Sequence, residues 1–258
     1  MLRFYPIPAF SDNYIWALVN PSNKQAVIID PGQADPVRDY INQHGLDLTA
    51  IWITHKHADH IGGVSELREL YPLTHVVAHA DHGIHPDQEV KEGTTINLWG
   101  KTAQVWLVAG HTQHHLAYVM EVDKVKHVFC GDTLFSAGCG RVFTGTVGDL
   151  YHSLERFAKL PDDTLFYPAH EYTLNNLAFG LSIEPNNMAM KHHVNDIEQR
   201  LANNQTSLPT SLSQERDINV FLRCDKDSVV NAVAQQVELD DDKPLTVFAA
   251  LRQLKDDF

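Results

Sequence analysis

Five short apolar runs, each stopping at a glycine, a proline or a polar residue able to bind a metal, constrain this chain more than any other feature. Ala26-Val27-Ile28-Ile29 ends at Asp30-Pro31-Gly32, Ile51-Trp52-Ile53 ends at Thr54-His55, and Val105-Trp106-Leu107-Val108-Ala109 ends at Gly110-His111. Val128-Phe129-Cys130 ends at Gly131-Asp132, and Thr164-Leu165-Phe166-Tyr167 leads through Pro168-Ala169 to His170. Brief continuous runs of this kind read as buried strands. Between them, helical patterns cover about 34–44, 62–70, 149–159 and 174–184, so strands and helices mix in one layered α/β core. From about residue 174 strand signals fade, and the rest reads as helices joined by polar loops. The expected division is a main domain at 1–173 and a smaller helical one at 174–258.

The second run delivers Thr54-His55-Lys56-His57-Ala58-Asp59-His60, four candidate metal ligands within six residues. Imidazole and carboxylate are ligands that zinc, manganese and iron accept. On extended backbone, residues two apart point the same way, so His55 and His57 can converge on one ion. Asp59 and His60 are then available to a second. In a chain with sixteen histidines an isolated His-x-His pair carries little weight. The whole string, closing a strand and preceding the Gly62-Gly63 turn, points to a two-metal site. His111, Asp132 and His170 follow in order, each after an apolar run. Singly, each has a structural explanation: a surface histidine at a glycine turn, a capping aspartate, a satisfied histidine. Together they bring the candidates to seven, enough for two cations and one bridging carboxylate. Asp30 is either a support for the histidine loop or the turn former of Asp-Pro-Gly.

At 258 residues, with 43% apolar and 21% charged residues, the chain has the composition of a globular protein with a substantial core. No stretch is long enough to span a bilayer, and the N-terminus lacks the pattern of a cleavable export signal, so a cytoplasmic protein without membrane association is expected. Cys130, Cys139 and Cys224 are too few for a disulfide framework and are expected to be reduced. A formal charge of −13 argues against nucleic-acid partners and requires any anionic substrate to meet a local cationic pocket. Candidates for that pocket are Arg141, after Gly138-Cys139-Gly140, and Arg252 with Lys255, three apart on a helix that Pro244 can begin. The alternative is a solvated basic stripe, which a helix C-terminus favours in any case.

The ligand series resembles the metallo-β-lactamase superfamily. Four further segments resemble its hydroxyacylglutathione hydrolases, the glyoxalase II family: Ile7 to Tyr14, Gly131 to Arg141, His170-Glu171-Tyr172-Thr173, and Arg252-Gln253-Leu254-Lys255-Asp256. The resemblance implies an αββα sandwich with ligands on loops at one edge, followed by a helical substrate-binding domain. It implies that His55, His57 and His111 hold one metal, that Asp59, His60 and His170 hold the other, and that Asp132 bridges. Zinc is the first expectation for the two ions, with iron or manganese as alternatives. Two cations about 3.5–4 Å apart acidify a shared water, so the implied nucleophile is hydroxide, and neither Ser nor Cys is required. Asp59 and Asp132 are the carboxylates nearest this chemistry, Asp59 as ligand before base. The implied substrate is an S-(2-hydroxyacyl)glutathione, hydrolysed by a monomer and contacted by Arg141, Phe143, Tyr172, Arg252 and Lys255. Phe143 stands where some members place a tyrosine, and His114 occupies a position where glycine is common. His75, His79, His82, His85, His192 and His193 match no ligand role. A one-iron persulfide dioxygenase, a lactonase or β-lactamase, and a nonenzymatic metal-binding module are the competing expectations.

Overall fold

The computed structural model describes residues 1–258 and divides into two compact units, Met1–Leu107 with His114–Gly131, and Val108–Gln113 with Asp132–Phe258. In the first unit β1 (Arg3–Ala9), β2 (Asn13–Asn20) and β3 (Gln25–Ile29) run antiparallel. The chain then crosses through α1 (Ala34–His44) into β4 (Asp47–Trp52), and through α2 (Ala58–Ile61) and α3 (Val64–Leu70) into β5 (His75–Ala78) and β6 (Gln88–Glu89). Strands β3 to β6 are parallel neighbours in a six-stranded sheet ordered as in the sequence. Parallel strands joined by helical crossovers are covered on both faces, which is why Ala26–Ile29 of β3 and the end of β4 read as continuous apolar runs. On one face Ala26, Ile28, Ile51 and Val76 pack with Ala34, Val37 and Ile41 of α1, an i, i+3, i+7 stripe, and with Val64 and Leu67 of α3.

The other face meets a second sheet, β7 (Thr95–Leu98), β8 (Lys101–Leu107), β9 (Leu116–Val122) and β10 (Val125–Gly131), all antiparallel. Both hairpins turn in two residues with positive φ, Trp99-Gly100 and Asp123-Lys124, as the right-handed strand twist requires. Trp52 of β4 packs on Tyr118 of β9 with ring centroids 4.9 Å apart, and the buried Tyr118 hydroxyl donates to the Ile53 carbonyl at 2.8 Å. The polar tip is thus satisfied where the two sheets meet.

The second unit holds the hairpin β11 (Leu134–Phe135) and β12 (Gly138–Cys139), α4 (Val147–Ala158), β13 (Leu165–Pro168), α5 (Thr173–Ile183), α6 (Met188–Ala202), β14 (Thr210–Ser211, paired with β13), α7 (Leu212–Ile218), α8 (Asp227–Ala234) and α9 (Pro244–Asp257). Helix α4 starts at a reciprocal Thr146–Asp149 capping box and buries Leu150, Leu154 and Phe157. The fully buried Glu215 of α7 accepts from Ser136 Oγ (3.0 Å), Ala137 N (2.9 Å), Thr210 Oγ1 (2.7 Å) and Asn219 Nδ2 (2.9 Å), bracing the β11–β12 hairpin. The four expected helices are present as α1, α3, α4 and α5, displaced by two residues or fewer at their ends. All three cysteines are free thiols and buried. No helix is long and apolar enough to cross a membrane.

Candidate metal centre

Each unit presents ligand-type side chains in a hydrogen-bonded frame that decides which ring nitrogen keeps its lone pair. In the first unit the frame is Asp30, at the end of β3 with φ +53°, a left-handed conformation that aspartate tolerates better than most residues. Its carboxylate accepts from Thr54 N (2.7 Å), Thr54 Oγ1 (2.6 Å) and His60 Nδ1 (3.0 Å), all buried. Because the Thr54 hydroxyl proton goes to Asp30, Oγ1 must accept from His55 Nδ1 at 3.1 Å. A carboxylate only accepts, so both His55 and His60 carry their proton on Nδ1 and present the Nε2 lone pair. The alternative left open by the sequence is resolved: Asp30 supports the histidine loop.

Those lone pairs face other ligand atoms. His55 Nε2 lies 3.0 Å from His57 Nδ1, and His60 Nε2 lies 3.5 Å from Asp59 Oδ2. For ligands about 2.0–2.1 Å from a tetrahedral ion, adjacent donors stand about 3.3–3.4 Å apart. The second pair is close to that spacing, while the first is a hydrogen bond in which His57 Nδ1 donates to the His55 lone pair. Asn13 Nδ2 donates to Asp59 Oδ2 at 3.1 Å, and His115 stacks on His55 at 4.6 Å. Sequence reasoning identified neither: Asn13 lies 46 positions from its partner. The backbone also packs closely here, since a Cβ on Gly32 would fall 1.9 Å from the Asp59 carbonyl oxygen.

The second unit repeats the logic. His111 Nδ1 donates to the Arg141 carbonyl at 2.8 Å, so its Nε2 carries the lone pair. That Nε2 and the Nε2 of His170 both lie 3.5 Å from the same oxygen, Asp132 Oδ2. The distance is too long for a good hydrogen bond and close to the ligand-edge spacing. One Asp132 oxygen thus stands at the same distance from both histidines. His170 stacks on Tyr172 at 4.7 Å and meets the edge of Phe135, while Phe143 sets its edge against His111 at 5.2 Å. Gly140 lets the hairpin lie against the ligand loop: a Cβ there would sit 2.0 Å from the Asp132 carbonyl oxygen. The donor set, nitrogen with carboxylate oxygen and no thiolate, fits divalent zinc, iron or manganese.

The predicted substrate cations gather on α9 and the hairpin. Arg252 is buried; its Nη1 donates to the Cys139 and Gly140 carbonyls at 3.1 and 3.4 Å and its Nη2 pairs with Asp256 at 3.0 Å. Arg141, largely exposed, pairs with the same Asp256 carboxylate at 3.2 Å. Lys255 donates to Asn175 Oδ1 at 2.5 Å and lies over the Phe179 and Phe258 rings. Burial, reinforced by Arg252 and Arg141, lowers the Lys255 pKa to about 8. Phe143 and Tyr172 leave part of their rings exposed.

Two family models cover the chain: the metallo-beta-lactamase superfamily matches residues 12–170, and the hydroxyacylglutathione hydrolase C-terminus matches residues 171–258. The hydroxyacylglutathione hydrolases of Vibrio cholerae and Aliivibrio salmonicida are each 45% identical to it over 262 residues, covering 100% of both chains. Among solved structures, ETHE1 from Myxococcus xanthus aligns with a TM-score of 0.65 at 25% identity, covering 99% of this chain and 98% of that one. The fold is the metallo-β-lactamase fold with a helical C-terminal extension, and the chain belongs to the hydroxyacylglutathione hydrolase family.

Proposed function

We propose that the chain hydrolyses the thioester of S-(2-hydroxyacyl)glutathiones, S-D-lactoylglutathione first among them, to glutathione and a 2-hydroxy acid, the second step of methylglyoxal detoxification. Residues 1–173 form the catalytic domain and 174–258 the substrate-binding domain. His55, His57 and His111 hold one divalent ion and Asp59, His60 and His170 the other, with Asp132 shared and zinc the ion of choice. When bound, the pair supplies Lewis-acid polarisation of the acyl carbonyl and acidifies water to a nucleophile. The observation that carries this assignment is Asp132 Oδ2 standing 3.5 Å from the Nε2 atoms of both His111 and His170.

The chain's own residues hold the donors ready. Asp30 and Thr54 keep the protons of His55 and His60 on Nδ1, and the Arg141 carbonyl does the same for His111, so these three imidazoles need not change tautomer on loading. Arg141 and Lys255 supply charge for the peptide carboxylates, Tyr172 and Phe143 supply apolar surface for the thioester arm, and Arg252 fixes the carbonyls of the Cys139–Gly140 edge while adding its charge. Because Asp256 already pairs with both arginines, part of their attraction for an anion is offset, and Lys255 becomes the more available cation.

The test combines metal analysis with parallel assays of S-D-lactoylglutathione, glutathione persulfide and a lactone. Thioester turnover should vanish on chelation and return on metal replacement. Unchanged turnover in metal-free protein would defeat the proposal, and preferential oxygen-dependent consumption of the persulfide would replace it with a dioxygenase.

A further inference from the structure

A second group of ligand-type side chains lies in the first unit and shares no residue with the centre described above. His79 Nδ1 and His114 Nδ1 stand 3.5 and 3.1 Å from the same oxygen, Asp81 Oδ2, and one ring nitrogen of each histidine and an Asp81 oxygen all lie within 4.8 Å of one another. Behind them is His82, 1% exposed. Its Nδ1 accepts the His79 backbone N–H at 3.4 Å, and its Nε2 donates to the His114 carbonyl at 2.8 Å. One buried imidazole thus ties together the backbones of both outer histidines, which lie 35 positions apart in the sequence, and the turn Ala80–His82 carries Asp81 between them. This distinguishes the group from a chance meeting of surface side chains.

We propose that His79, Asp81 and His114 form an auxiliary, exchangeable site for one divalent cation of the zinc type. Two imidazoles and one carboxylate, with a fourth position left to water, make a borderline donor set suited to zinc and its first-row neighbours, with too few oxygens for calcium or magnesium. The oxygen-to-nitrogen spacings of 3.1 and 3.5 Å bracket the edge of about 3.3–3.4 Å for a tetrahedral ion. The two rings stack at 4.6 Å and 12°, so both lone pairs cannot meet at one point as they stand. His114, about one-third exposed, turns to aim its nitrogen, while His79 exchanges the Asp81 N–H it now accepts at 3.1 Å for the ion. An ion there fastens the 79–82 turn to the segment whose next residue, His115, stacks on His55. The proposal stands independently of the catalytic assignment.

The experiment is equilibrium dialysis of the holoenzyme against buffered zinc ion alone, with zinc counted per chain in the native protein and in His79→Ala, Asp81→Asn and His114→Gly. All four share the main centre, so its occupancy cancels in the difference. The native protein should hold one equivalent more than each variant at the same free zinc, and zinc should raise its Tm more than that of His114→Gly. Equal zinc content in the native protein and every folded variant overturns the proposal, as does a loss in Asp81→Asn that a folded histidine variant does not share. Asp81 is well exposed and Asn nearly isosteric, so that variant keeps the comparison valid if a histidine variant folds poorly.

Discussion

Replacing Asp30 with Asn changes one atom at the centre of the frame and should cost the chain one ion in preference to the other. The asparagine keeps its carbonyl oxygen toward Thr54 N, now at 2.7 Å, and tolerates the φ of +53°. Its NH2 then replaces the oxygen that accepts from Thr54 Oγ1 and His60 Nδ1. Threonine can rotate its hydroxyl to accept. His60 can satisfy the new donor only by becoming an acceptor at Nδ1, which moves its proton to Nε2, the atom facing Asp59 at 3.5 Å. A protonated Nε2 cannot bind a metal. Losing the charge-assisted bond costs about 1.5–3 kcal/mol, and losing a supporting partner of this kind lowers metal affinity about 10- to 100-fold. The assay is metal content per chain against buffered free zinc, with nitrogen NMR of the His60 ring to read the tautomer. Loss of about one equivalent, with the other retained, is expected. Two ions held at native affinity, with the His60 proton still on Nδ1, would refute the reasoning.

Three further outcomes follow from geometry. Lys255, a base whose pKa burial lowers to about 8, is charged below that pH and neutral above it, so KM for the glutathione thioester should rise through pH 8–9 with kcat little changed. Lys255→Met should remove that inflection, and an identical rise in the variant would reject the contact. Burial raises the Glu184 carboxyl, but hydrogen bonds from Arg223, Ser228 and Asn187 outweigh it and leave its pKa below the usual 4.5. Its stabilisation is therefore present above that value and lost as pH falls through the folded pKa; Arg223→Met should cost about 3 kcal/mol at pH 7 and move acid unfolding upward, as read by denaturant melts across pH 3–7. Gly140→Ala places a Cβ 2.0 Å from the Asp132 carbonyl, so the ligand loop must shift; a loss of about 1–3 kcal/mol in stability with reduced metal content is expected from calorimetry and metal analysis.

The strands that lead to Asp30, His55 and Asp132 were legible because the stretches next to those residues, Ala26–Ile29, Ile51–Ile53 and Val128–Cys130, are buried and apolar without a break, and α1 because its apolar stripe repeats at helical spacing. The β1 strand was not, since Pro6 and Pro8 interrupt it; both sit in an edge strand, where a missing N–H is tolerated. Ligand residue types were visible from their clustering. Their frame was not. Whether Asp30 made a turn or held a histidine depends on a partner 30 positions away, and whether Arg252 was solvated or buried depends on carbonyls 113 positions away. Periodicity reports on neighbours along the chain and carries no record of such pairings. For the same reason the separate placement of 108–113 with the later unit could not be anticipated from local pattern.

Arg252 has a consequence for synthesis on the ribosome. The carbonyls of Cys139 and Gly140, beside the Asp132 loop, are secured by a guanidinium translated 113 and 112 residues afterwards. Until that side chain emerges from the exit tunnel, the hairpin edge is unbraced, and such distant closures are slow to form. Nascent protein should therefore capture metal loosely at first and retain it firmly only after the last helix docks.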